Sequence, residues 1–228
     1  MTMTHTAPAC IGIIIDGNRR WAKEQGLPTL LGHQKGFENL VQAVRWVRDA
    51  KIQHLAVYAF STENWNREQA EVEHLMDLID KATHTAFEDL KKEGMQLHFV
   101  GDFSRLSQKT QERIATLEKE SAQHDGFHLW ICLSYSGRLE IERAVQSLID
   151  SGEGVTQETL RAHMWSAGMP DPDLIIRTGG DQRLSNFLLW QAAYAELFFT
   201  PTYWPAFTKE ELHTILADYA QRERRYGK

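Results

Sequence analysis

Short apolar runs, each followed by a longer stretch of helical periodicity, constrain this chain more than any other feature. Ile11–Ile15, His54–Phe60, Leu97–Gly101, Phe127–Leu133 and Leu174–Ile176 are such runs, and Glu196–Phe199 reads as a further short one. Most are rich in β-branched or aromatic residues and lack the in-out alternation of a half-solvated strand, so they read as strands covered on both faces. Between them the spacing predicts helices over Gly36–Ala50, Glu71–Glu93, Ser104–His124 (with Ser104 as N-cap), Leu139–Ile149, Thr156–Ala167 and Thr208–Arg225. In Glu71–Glu93 the residues Val72, Leu75, Met76, Ile79, Ala86, Phe87 and Leu90 make one apolar stripe. Strands alternating with helices imply an α/β fold: a mostly parallel central sheet of about six strands, wrapped by helices through right-handed crossovers. No repeat or linker divides the 228 residues, so a single domain over 11–228 is expected, preceded by a flexible segment, 1–10.

Charge excludes one class of partner. A net charge of -6 does not suit nucleic acid, whose affinity depends on massed Lys and Arg. The basic residues are nevertheless grouped: Arg19 with Arg20, Arg177 with Arg183, and Arg222 to Arg225. In an acidic chain, small basic groups beside Gly-rich turns point to small anions. Cys10 and Cys132 fall in apolar strands and read as buried free thiols of a reducing compartment. No apolar run approaches the roughly 20 residues of a membrane span, and Met1–Ala9 lacks the features of a signal peptide. A cytoplasmic location is expected.

In open parallel sheets, ligands sit beyond the carboxyl ends of the strands, and three strand ends here carry polar residues. The first runs Asp16-Gly17-Asn18-Arg19-Arg20-Trp21. Gly17 lets the backbone approach a ligand, the arginines suit phosphate, and Asp16 suits a hard cation shared with diphosphate oxygens. Taken alone, an Asp-Gly turn with exposed arginines is the plainer account. An aspartyl-phosphate nucleophile at Asp16 is disfavoured, because such enzymes usually carry a second Asp where Asn18 stands. The second is Ser61-Thr62-Glu63-Asn64-Trp65-Asn66-Arg67, in which Ser61, Asn64 and Arg67 suit diphosphate binding or proton removal. A capped loop with Trp65 as a core plug explains it equally well. The third is Arg177-Thr178-Gly179-Gly180-Asp181-Gln182-Arg183-Leu184-Ser185, two guanidinium forks and a hydroxyl suited to a second diphosphate, set before an expected helix. His33 is either structural or a phosphate contact, and Glu196 alone is an ordinary strand-edge acid.

Together these segments resemble the cis-prenyltransferases, in particular the bacterial undecaprenyl diphosphate synthases. The resemblance runs from about Ile11 to Gly227 and rests on IIIDGNRRWA, GHQKG, YAFSTENWNR, VGDFSRL, LIIRTGG, RLSNFLLWQ, AYAELFF, Trp204-Pro205 and RERRYG, all in the family's order. It implies a homodimer with a hydrophobic tunnel, Mg²⁺ as cofactor, and isopentenyl diphosphate and an allylic diphosphate as substrates, with transient membrane contact for product release. By the same resemblance Asp16 binds Mg²⁺; Gly17, Asn18, Arg19, Arg20 and His33 hold the allylic diphosphate; and Trp21 borders it. Asn64 is the proton acceptor, and Ser61, Thr62, Glu63, Trp65 and Arg67 line the substrates. Arg177, Arg183, Leu184 and Ser185 hold isopentenyl diphosphate, Glu196 joins the metal, and Arg225-Tyr226-Gly227 reaches the partner subunit. The chain departs from the family pattern at Thr29, usually Arg; at Arg19, often Gly; at Ser134 and Ser136 in place of Asn and Gly; and at Asp181-Gln182. Small Ala59 leaves a tunnel open for a long product, whereas Thr29 and Ser136 favour a short-chain or branching enzyme. A non-catalytic partner subunit is disfavoured by the retained Asp16.

Overall fold

A computed structural model describes residues 7–222. Six strands form one sheet: β1 (Cys10–Ile14), β2 (His54–Ser61), β3 (Met95–Val100), β4 (Phe127–Tyr135), β5 (Leu174–Arg177) and β6 (Glu196–Phe199). Their order is β3-β4-β2-β1-β5-β6, and every neighbouring pair is parallel. β1 lies between β2 and β5, with Ile14 level with both Tyr58 and Arg177. The chain steps one way from β1 to β2 and later crosses to β5 on the other side. That reversal opens a crevice at the carboxyl ends of β1, β2 and β5.

Both faces are covered, which is why the strands do not alternate. On one face Ile11, Ile13, Leu55, Val57, Leu97, Phe99, Leu129 and Ile131 pack against α2 (Thr29–Asp49), α3 (Gln69–His84), α4 (Ala86–Lys92), α5 (Gln108–Ser121) and α8 (Lys209–Gln221). On the other, Ala56, Tyr58, Trp130 and Ile175 meet Met169, Phe187, Leu188 and Ala192 from turns, beside α6 (Gly137–Ser151) and α7 (Gln157–Ala162). The short α1 (Asn18–Glu24) follows β1. Cys10 and Cys132 are free and buried. They lie level with His54 and Tyr58 of β2 respectively, too far apart along the sheet for a disulfide. Among the described residues no helix is long and apolar enough to cross a membrane.

Several expected boundaries move. Cys10 already belongs to β1, and the Ala9 N–H donates to Asp173 Oδ2 at 2.8 Å, so order begins before residue 11. Residues 1–6 lie outside the described residues. α2 starts at Thr29 rather than Gly36, one residue after Pro28, whose fixed φ suits a helix entrance. The long helix over Glu71–Glu93 is two: Thr85 leaves helical backbone at φ -124°, ψ -87°, and its hydroxyl donates to the Lys81 carbonyl. That hydroxyl competes with the helix ladder. Ser107, not Ser104, caps α5 by accepting the Thr110 N–H; Ser104 sits in a 3₁₀ turn, Phe103–Arg105. α7 ends at Ala162, and the expected helix after Arg183 is a run of turns.

Trp204 joins the sheet end to α2. It is fully buried, its Nε1 donates to the Gly36 carbonyl at 2.7 Å, and its backbone N–H donates to the Asp16 carbonyl at 3.0 Å. Trp204→Ala should cost about 3–5 kcal/mol in urea denaturation. A loss below about 1 kcal/mol would show that this tryptophan does not anchor the Asp16 turn.

Candidate active site

The crevice opens into a cavity of about 1430 Å³. Its mouth is polar and its interior apolar, lined by Phe37, Leu40, Phe60, Leu75, Ile79 and Phe87 among others. Seven arginines and lysines face it (Arg19, Arg20, Lys23, Arg67, Arg138, Arg177, Arg183) against three carboxylates, Asp16, Glu63 and Asp181. That surplus of positive charge, in a chain of net charge -6, defines an anion site.

Asp16 is held at its centre. Arg177, buried at the end of β5, donates from Nη2 to Asp16 Oδ2 at 2.8 Å, and Arg20 Nη2 lies 3.1 Å from Asp16 Oδ1. Arg177 Nη1 bonds the Ser185 hydroxyl at 2.7 Å and the Arg183 carbonyl, so one guanidinium ties the first polar turn to the third. Tight turns make this approach possible. Gly17 has φ 109°, and a Cβ there would lie 2.7 Å from the Tyr203 ring; Gly179 has φ 88°, and a Cβ there would lie 2.8 Å from Arg20 Nη2. Asp181 accepts from Arg20 at 3.2 Å and Arg183 at 2.9 Å, and the Arg183 hydrogen bond holds its carboxyl below the usual range, with the charges of Arg183, Arg20 and Arg177 adding to the effect.

Across the cavity lies a second polar group, centred on Glu71, a residue that sequence reading missed. Glu71, buried at the start of α3, accepts from Arg67 at 3.0 Å and sits 3.0 Å from His33 Nε2; Arg19 lies 3.9 Å away. Burial raises the Glu71 pKa, but the His33 bond and the Arg67 and Arg19 charges outweigh it, so the carboxyl stays below the usual range. Burial, with the Arg67 and His74 charges, pushes His33 down by more than Glu71 raises it. The pair is therefore carboxylate and neutral imidazole, with His33 donating. The i,i+4 spacing of Arg67 and Glu71 was the available signal.

Most residues singled out in the sequence meet here: Asp16, Gly17, Asn18, Arg19, Arg20, His33, Ser61, Glu63, Asn64, Arg67, Arg177, Arg183 and Ser185 all line the cavity. Asn64 Oδ1 accepts the Ser61 N–H at 3.1 Å. Trp21, Thr62, Trp65 and Leu184 do not line it. Trp65 is instead a plug: it packs edge-on against Phe60, its Nε1 donates to Ser134 Oγ at 2.9 Å, and Arg105 covers its ring. Ser134 has φ 50°, in the region where Asn is common. Glu196 is not near Asp16. It opens β6 level with Leu174 and Ile11, about 10 Å short of the carboxyl end of β1 along the strands, and pairs with Arg222. Within one chain the second carboxylate beside Asp16 is Asp181. The Arg225-Tyr226-Gly227 tail lies outside the described residues.

The family model described as "Putative undecaprenyl diphosphate synthase" matches residues 14–227. The chain belongs to the cis-prenyltransferase family. It is 42% identical over 225 residues to an isoprenyl transferase of Thermotoga maritima, covering 96% of this chain and 97% of that one. Among solved structures, lavandulyl diphosphate synthase from Lavandula x intermedia, in complex with dimethylallyl diphosphate, superimposes with a TM-score of 0.92 at 33% identity, covering 97% of this chain and 99% of that one. A probable undecaprenyl diphosphate synthase from Campylobacter jejuni gives 0.83 at 32%, covering 98% and 100%. This prenyltransferase therefore gathers the polar turns after β1, β2 and β5 at one end of its sheet, with Glu196 of a further motif at the other.

Glu71→Gln should weaken the fold by about 3–5 kcal/mol near neutral pH, because Arg67 and Arg19 lose a buried partner. A carboxyl with a depressed folded pKa stabilises above the unfolded value of about 4.3 and loses that effect as pH falls through the folded value. The wild-type advantage in urea denaturation should accordingly shrink below about pH 4. A gap that stays constant on acidification would contradict an ionised Glu71.

Proposed function

We propose that this prenyl transferase condenses isopentenyl diphosphate with an allylic diphosphate and builds a Z-configured polyprenyl diphosphate. The observation that carries this reading is the pair of cationic turns meeting at Asp16 and opening into a single apolar cavity. The allylic diphosphate lies on the Gly17–Arg20 turn, where Arg19 and Arg20 stabilise the negative charge that builds on it as the allylic C–O bond breaks. Isopentenyl diphosphate lies on Arg183 and Ser185. Its double bond attacks the allylic carbon, and the proton lost as the new double bond forms is accepted at Asn64 and passed on to the departing diphosphate. The growing chain enters the apolar interior, gaining about 0.8 kcal/mol per buried methylene.

Magnesium fits this site. Asp16 is a single carboxylate, partly exposed at the cavity mouth, and no cluster of three or more His, Cys, Asp or Glu capable of holding a metal occurs among the described residues. That is the donor set of an ion shared with substrate phosphates and water rather than caged by protein. When bound there, Mg²⁺ would polarise the departing diphosphate. A homodimer belongs to the same reading and is supported by exposed Tyr194 and Leu197 beside and on the edge strand β6. The cytoplasm suits Cys10 and Cys132, and transient membrane contact suits an apolar product.

A long product is supported by the cavity, which exceeds the roughly 300–1,000 Å³ of ordinary small-molecule sites, and by Ala59 on its wall. A short-chain product is the second reading, favoured by the superposition on lavandulyl diphosphate synthase. Labelled isopentenyl diphosphate with dimethylallyl, geranyl and farnesyl primers, followed by product sizing, should give polyprenyl diphosphates; only C10 or C15 products would select the second reading. Asp16→Asn, which keeps a hydrogen-bond acceptor for buried Arg177, should lower turnover at least about 100-fold without loss of the fold. Arg183→Ala should chiefly raise KM for isopentenyl diphosphate; unchanged KM and kcat would remove Arg183 from that site.

A further inference from the structure

The turn that follows β5 carries half of the proposed chemistry but has no helix or strand to hold it. Three of its residues other than glycine take positive φ: Ser185 at 49°, Asn186 at 70° and Leu188 at 45°. Such backbone is strained for side-chain-bearing residues, least so for Asn, so contacts from outside must impose it. Asn186 makes a concentrated set of them. Its Nδ2 donates to Glu63 Oε1 at 3.0 Å and to Ser136 Oγ at 2.6 Å, and its Oδ1 accepts the Arg138 N–H at 3.1 Å. Its carbonyl accepts the Gly137 N–H at 2.8 Å.

These partners come from two other strand ends. Glu63 follows β2 and precedes Asn64; Ser136 links β4 to α6, whose first residues are Gly137 and Arg138. Asn186 itself follows Ser185, which Arg177 holds. One half-buried side chain thus connects the turn beside Asn64 to the turn bearing Arg183 and Ser185, with the start of α6 as a fixed point between them. Ser136, which departs from the family pattern, supplies one of the acceptors and also caps α6 through the Leu139 N–H.

We propose that Asn186 is a positioning residue that sets the spacing between the isopentenyl diphosphate turn and the Glu63–Asn64 turn, so that substrate held on one meets the proton acceptor on the other. This rests on the functional reading given above. Asn186→Gly separates side chain from backbone, because glycine adopts the same φ freely while losing the three side-chain bonds. Its kcat should fall roughly 100-fold, the scale of a misplacement near 1 Å, measured at a temperature where the variant remains folded. Asn186→Asp keeps the acceptor for Arg138 but sets a second carboxylate against Glu63. Its kcat should also fall at neutral pH and recover in part as acidification lets the pair share a proton.

Inorganic pyrophosphate binding, followed by calorimetry, tests the geometry without chemistry. Asn186→Gly should weaken it about tenfold, the scale of one lost hydrogen bond. Wild-type protein that makes no prenyl product would defeat the proposed function alone. An Asn186→Gly protein that binds pyrophosphate like wild type, or turns over within about twofold of it, would defeat the role of Asn186 alone. A merely structural role would leave kcat of the folded enzyme and its pH profile unmoved, whatever the thermal midpoint.

Discussion

The contact between Arg177 and Asp16 governs the rest of the site. Both residues stand at the ends of adjacent parallel strands, and their 2.8 Å bond fixes the distance between two turns that each carry further cations. A buried arginine cannot shed its proton, so it must have an anion beside it. Asp16 supplies that anion while keeping part of its carboxylate at the cavity mouth. The same geometry that stabilises Arg177 therefore holds a carboxylate where two diphosphates and a cation would meet.

The site keeps its charges in order with internal anions. Asp181 bridges Arg20 and Arg183, and Glu71 bridges Arg67 and His33. These pairs differ in kind. Asp181 belongs to an open turn whose pairs are partly exposed and weak, so a diphosphate can take its place on the arginines. Glu71 is buried in the first turn of α3, and removing it would leave charge without solvent. The first group reads as ligand surface and the second as the frame that carries it.

How much of this was legible in the sequence follows from the physics of each element. The strands could be read because burial on both faces writes continuous apolar runs, and the turns because Gly, Asp and Arg cluster after them. Helix limits were less legible. Thr85 breaks α3 from α4 through local hydroxyl bonding, an effect no apolar stripe records. The segment after Arg183 looked helical because it is apolar, yet it forms turns that bury Phe187 and Leu188 against the second face of the sheet. Glu196 was carried to the metal by a motif, but register places it at the other end of the sheet. Glu71 and Asn186 were missed as site residues because their partners lie far away in sequence: Glu71 meets His33 across 38 positions, and Asn186 meets Glu63 across 123.

The apolar interior and the cationic mouth make one claim together: two diphosphates bind side by side at Asp16, and a hydrocarbon chain runs behind them. A crystal structure with isopentenyl diphosphate and a non-reactive thio analogue of the allylic diphosphate tests it most directly. The account predicts one diphosphate on Arg19 and Arg20, the other on Arg183 and Ser185, and the allylic tail directed towards Phe60 and Leu75. Diphosphates bound elsewhere, or a tail pointing out to solvent with the cavity unfilled, would contradict it.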